Sequence, residues 1–144
     1  MMTQIIRSAL VMHSAERMFD LVNDVRRYPE FLQGCTATEV INESDDVIEA
    51  RLTLSKVGFE QSFTTRNTLS RPHKMEIRLV EGPFSRFTGT WYFQPLSDDA
   101  CKVSVELEFE MASRIAGAAM GALFKQVAGM MVDAFVKRAK EIYD

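Results

Sequence analysis

Val103, Val105, Leu107, Phe109 and Met111 alternate with Ser104, Glu106, Glu108 and Glu110, and directly after them the hydrophobic period changes from two to a helical one that lasts to the C-terminus. Alternation of this kind gives a strand one dry face and one wet face, so the sheet it belongs to needs an apolar cover. The segment that follows is the one long enough to supply it. Met120, Leu123, Phe124, Val127, Met130, Met131, Ala134, Phe135 and Ile142 fall within one broad arc at about 100° per residue, with Lys125, Gln126, Asp133, Lys137 and Lys140 opposite. The pattern predicts a helix of about thirty residues beginning near Ala112, a length uncommon in a compact domain.

Upstream, residues 5–12 are β-prone, Ser14 suits a helix N-cap, and residues 15–22 form a short helix with Met18, Phe19 and Val22 on one side. The string Tyr28-Pro29-Glu30-Phe31-Leu32 predicts a second short helix with Pro29 at its first position and Gly34 stopping it. Strands are then expected over residues 36–41, 47–57, 59–69 and 75–79 and around 87–93, separated by polar, Gly or Pro turns. Short turns between successive strands make the sheet antiparallel. The expected fold class is α+β: about seven curved antiparallel strands wrapped on a long C-terminal helix, with two short helices after the first strand. Residues 1–144 read as one domain.

Several function classes lose support. The net charge of −3 argues against generic phosphate-backbone binding, and DNA is not an expected partner. Cys35 and Cys101 stand apart from each other and from any metal-ligand spacing, so they read as reduced thiols of which one or both are packed, and no metal is expected. No leader pattern opens the chain, and the apolar run over residues 115–124 is about half the length of a membrane span; the expected location is the cytoplasm. His13 and His73 lack a nucleophile context, and Glu106, Glu108 and Glu110 share the wet face of one strand. The chain is therefore read as a binding protein without a cofactor, not an enzyme.

A single helix across a wide curved sheet either packs it solid or leaves an apolar cavity that can take an apolar guest. The residues expected to line that space are Tyr28, Phe31, Leu52, Leu54, Phe63, Ile77, Trp91, Phe109, Phe124, Val127, Met131 and Phe135. Gly117, Gly121 and Gly129 either widen the space or let the helix approach the sheet closely. Gln61, Thr65 and Asn67 share the parity of Phe59, Phe63 and Leu69, which turns them inward unless a bulge intervenes. Arg138 lies in the apolar arc near the helix end, where it either reaches the rim or meets a ligand headgroup.

The octapeptide Tyr28-Pro29-Glu30-Phe31-Leu32-Gln33-Gly34-Cys35 resembles the Tyr-Pro-x-Phe-Leu-x-x-Cys signature of the coenzyme Q-binding START family, within the START/Bet v1-like superfamily. The opening over residues 11–25, the strand around Gly89-Thr90-Trp91-Tyr92-Phe93 and the terminal helix fall where that family has them. The resemblance implies a helix-grip fold, an apolar tunnel suited to ubiquinone or a related isoprenoid or lipid, and a role in respiratory quinone handling. Many members carry Pro-Trp before the Cys where this chain has Gln33-Gly34, which removes an aromatic from that point. The family's bacterial branch includes ribosome-association toxins and oligoketide cyclase/lipid-transport proteins. It implies an alternative: a toxin of a toxin–antitoxin pair that binds the large ribosomal subunit, with Arg26, Arg27, Lys137 and Arg138 on phosphates. A cyclase-like activity in the same cavity ranks last, because no inward acid or base stands out. The expected partners are thus an apolar quinone or lipid, a membrane surface touched transiently in exchanging it, and in the alternative the large ribosomal subunit.

Overall fold

Ser14 has extended backbone and its hydroxyl accepts the Arg17 N–H at 3.1 Å, which satisfies one of the unpaired donors at the start of the first helix. In the computed structural model, which describes residues 2–113 and 117–144, this cap separates β1 (Thr3–Val11) from α1 (Ala15–Asn23). A 3-10 turn (Val25–Arg27) leads into the one-turn α2 (Tyr28–Phe31), which has Pro29 in its first turn as expected. Six strands follow: β2 (Cys35–Glu43), β3 (Val47–Lys56), β4 (Phe59–Ser70), β5 (Lys74–Glu81), β6 (Phe84–Ser97) and β7 (Ala100–Met111), and then α3 (Ala118–Tyr143).

The sheet has seven strands in the order β1-β7-β6-β5-β4-β3-β2, every pairing antiparallel. β2 to β7 form a meander, and β1 returns to the β7 edge in the register Ile5↔Leu107 and Val11↔Cys101. The alternation of β7 holds: Cys101, Val103, Val105, Leu107 and Phe109 are buried, while Lys102, Glu106 and Glu108 are exposed. The acidic series is a solvated face.

α3 lies across the apolar face and buries Met120, Leu123, Phe124, Val127, Ala128, Val132, Phe135 and Ala139. Two details differ from the expected helix. Ala112 is not helical, because its N–H donates to the Pro83 carbonyl at 2.9 Å and holds the chain to the β5–β6 turn; the described helix begins at Ala118, and residues 114–116 lie outside the described residues. Met130 and Ile142 are exposed: Met130 lies at the edge of the expected arc, and Ile142 lies in the last turn, beyond Ala139, the last buried residue of α3. By length and composition α3 is apolar enough to cross a bilayer, with a mean hydropathy of 1.3 over its most apolar window. Here the sheet covers that apolar stripe.

Gly117 and Gly121 serve close packing against Met111, whereas Gly129 has room for a Cβ. A Cβ at Gly117 would lie 2.3 Å from the Ser113 carbonyl oxygen and 2.8 Å from Met111 Cβ, one at Gly121 would lie 3.2 Å from Met111 Cγ, and one at Gly129 would meet the Arg7 guanidinium. None of the three lines the space under the helix.

Candidate functional site

Between the concave face of the sheet and α3 lies a cavity of about 60 Å³. Most of the space under the first turns of α3 is filled by Phe63, Phe84, Phe87, Phe109 and Phe124, whose rings meet mainly edge to face at centroid separations from 4.8 Å (Phe109–Phe124) to 6.1 Å (Phe63–Phe87). An apolar cavity of about 150 Å³ is the scale that admits benzene, so the space left here is smaller than one aromatic ring needs.

Tyr28, Leu52, Leu54, Phe63, Ile77, Trp91, Phe124, Val127 and Met131 line the cavity. The other three residues expected there do not. Phe109 is buried between Phe84 and Phe124, one layer away from the opening. Phe135 has no exposure and is enclosed by Tyr28, Phe31 and Trp91. Phe31 sits on the outer side of α2, where the Arg138 guanidinium stacks 5.1 Å above its ring. Met75, Phe87 and Leu107 also line the cavity and share strand parity with residues already identified; Val25, in the 3-10 turn, carries no periodic signal.

Tyr28 contributes its ring and not its hydroxyl, because the O–H donates to the Val22 carbonyl at the end of α1. Full burial pushes its phenol well above the ordinary range, which keeps that donor proton in place. Thr65 and Asn67 point into the cavity, as their parity predicts. Gln61 does not, although it keeps the parity of Phe63 and pairs with Leu54: it lies near the start of β4, where its amide donates to the Ser62 carbonyl at 3.2 Å in an outer cleft beside Arg51 and Glu60. Asn67 is only 8% exposed, and its Oδ1 has no hydrogen-bond partner. Leaving a buried acceptor unpaired costs about 1–3 kcal/mol.

The cations proposed for phosphate contact are mostly engaged. Arg26 pairs with Glu43 at 3.1 Å, and Arg27 and Arg138 both donate to Glu30, at 2.9 and 2.8 Å. The two guanidiniums hold the Glu30 carboxyl below its ordinary value. Arg138 is thus an inter-element tie between α3 and α2, not a free group at a cavity mouth. Lys137 forms no ion pair among the described residues.

Among the described residues no group of His, Cys, Asp and Glu is assembled as a metal site. His13 Nε2 lies 3.0 Å from Asp144 Oδ1, which ties the chain terminus to the β1–α1 loop. Both cysteines are free and buried, and burial pushes each thiol up to about 11. Iodoacetamide at pH 8 is therefore expected to leave Cys35 and Cys101 unmodified in the native protein and to alkylate both in urea, as read by mass spectrometry. Rapid native alkylation would contradict the packing.

A protein-family profile described as polyketide cyclase / dehydrase and lipid transport matches residues 11–136. The ribosome association toxin RatA of Pseudomonas aeruginosa is 47% identical over 143 residues, spanning 99% of both chains. The mitochondrial coenzyme Q-binding protein COQ10 homolog B of Xenopus laevis is 28% identical over 134 residues, 90% of this chain and 55% of that protein. The Zhui aromatase/cyclase from Streptomyces sp. R1128 superposes with a TM-score of 0.85 over 100% of this chain and 97% of that one; at 16% identity this likeness is one of fold. A curved seven-stranded sheet gripping its C-terminal helix, together with a profile match over most of its length, makes this chain a member of the START-like polyketide cyclase/dehydrase and lipid transport family.

Proposed function

We propose that this chain acts as a toxin that associates with the ribosome, at the large subunit, and works in the cytoplasm. The observation that carries this reading is its end-to-end 47% identity with a ribosome association toxin. The filled space under α3 supports it, because a cavity of about 60 Å³ does not accommodate an isoprenoid quinone headgroup without rearrangement of its walls. The contact surface that fits rRNA phosphates is the outer side of α3. Lys125, Lys137 and Lys140 project there within about 120° of arc at about 100° per residue. Arg26, Arg27 and Arg138 would first have to leave the carboxylates of Glu43 and Glu30.

Co-sedimentation with purified large subunits in a sucrose gradient tests the reading. The wild-type chain should migrate with the subunit, and the combined Lys125→Glu, Lys137→Glu and Lys140→Glu variant should remain at the top. For phosphate contacts, the slope of log affinity against log salt should fall by roughly one for each lysine reversed. Absence of wild-type association at low salt would remove the proposal.

A second reading, a small-molecule site under α3, is favoured by one observation: the unpaired Oδ1 of Asn67 in an otherwise apolar enclosure. The relationship to a coenzyme Q-binding protein bears on the same space. Met131 is the wall residue best able to yield to a larger guest, because an unbranched thioether repacks easily.

A further inference from the structure

We propose that Asn67 selects, within the cavity under α3, a compact apolar molecule bearing one O–H or N–H donor over a molecule that offers only acceptors. This rests on the reading of that cavity as a small-molecule site.

Asn67 sits mid-sheet on β4, opposite Ile48 of β3 and Ile77 of β5. Its side chain is more than nine-tenths buried and faces walls supplied by Met75, Ile77, Trp91 and Leu107. The two ends of the amide are not equivalent. Nδ2 lies 3.7 Å from the Met75 sulfur, a weak but favourable N–H···S contact, and the reverse orientation would set the oxygen lone pairs against the sulfur lone pairs. Oδ1 is therefore the end left open, and it accepts. A group that completes it must donate.

Neighbouring side chains do not complete it. The Tyr28 hydroxyl is committed to the Val22 carbonyl, and Gln61 lies outside the cavity. Water fits by volume, since one molecule needs about 10–15 Å³, but Thr65 and Asn67 supply only the minimum of the two to four polar partners of a buried water, so a guest that brings its own donor and an apolar body can displace it. An apolar molecule with a single hydroxyl matches both the apolar walls and the open Asn67 acceptor. A carbonyl-only quinone would place acceptor against acceptor, whereas its reduced, hydroxyl-bearing form would not.

The test uses phenol, toluene and anisole, similar single-ring molecules that carry a donor, no polar group and an acceptor only; each is larger than the resting cavity of about 60 Å³ and enters as the Met131 side chain repacks. Titrations followed by the methyl NMR signals of Met75, Ile77 and Met131 should show saturable binding of phenol about threefold to tenfold tighter than of toluene, with anisole no tighter than toluene. In Asn67→Leu, which removes the acceptor at similar volume, phenol and toluene should bind within about twofold of each other. The wild-type order alone carries the test if that variant does not fold. If none of the three probes shifts these signals, the small-molecule reading of the cavity falls and the inference with it. Equal binding of all three leaves the site standing and overturns selection by Asn67. An ordered water completing Oδ1 in a phenol-soaked crystal overturns it as well.

Discussion

Truncation of Trp91 to alanine is expected to destabilise the protein by about 3–5 kcal/mol, the range for deleting a large buried aromatic, which is roughly 10 °C of Tm at about 3 °C per kcal/mol for a chain of this size. Trp91 is 1% exposed and lies at the centre of the concave face, paired across strands with Met75 and Val105. Its ring stacks on Phe93 at 6.1 Å and meets Phe135 edge-on at 5.5 Å. Phe135 in turn contacts Tyr28 and Phe31, so the loss extends to the contact between α3 and α2. Because Trp91 also lines the cavity, its removal enlarges an apolar space that is now about 60 Å³. Such a space stays dry and binds apolar rings. Indole should therefore raise the Tm of Trp91→Ala by mass action and leave the wild type unchanged. A loss below about 1 kcal/mol, or an equal effect of indole on both proteins, would show that Trp91 is not the central support described here.

The two periods that identify this fold are local, which is why they were legible. Residues 101–111 alternate because one sheet face is wet, and residues 118–143 repeat helically because one stripe of α3 meets the sheet. Periodicity tells which way a side chain points and not how deep it lies. Phe109 and Phe135 were correctly turned inward, yet both are walled off from the cavity by neighbours distant in sequence. The start of α3 is hidden from local pattern for a similar reason, since Ala112 is held by the carbonyl of Pro83, and that bond joins segments far apart in the chain. Parity alone places Thr65 and Asn67 inside; Gln61 shares that parity but lies near the start of β4, and parity does not say how far along a strand the cavity extends. The Arg27–Glu30 pair has helical i,i+3 spacing and was readable, whereas the engagement of Glu30 by Arg138 was not. Function was less legible than fold, because the same sheet and helix serve different tasks in relatives, and the filled space under α3 is a property of packing that no local pattern announces.

Substitution of Gly34 by alanine is the second large effect, about 2–5 kcal/mol. Gly34 has φ +94°, a conformation that costs a residue with a Cβ about 1–2 kcal/mol. A Cβ there would also lie 2.7 Å from Val127 Cγ2, and overlap of this kind in a packed region costs about 1–3 kcal/mol. The two components are separable. Val127→Ala removes the methyl that is struck but not the backbone strain, so in a double-mutant cycle Gly34→Ala should cost about 1–2 kcal/mol less in the Val127→Ala background than in the wild type, as measured by urea unfolding. A cost near zero in both backgrounds would show that the chain does not need glycine there. The result bears on the whole segment from Tyr28 to Cys35. Tyr28 donates to α1, Glu30 grips Arg138 of α3, Gly34 lets the backbone touch Val127 of α3, and Cys35 is packed beneath. Each of these contacts joins the segment to another part of the fold, so its residue types are accounted for by clamping α1 and α3 to the sheet, and a ligand is not required to explain them.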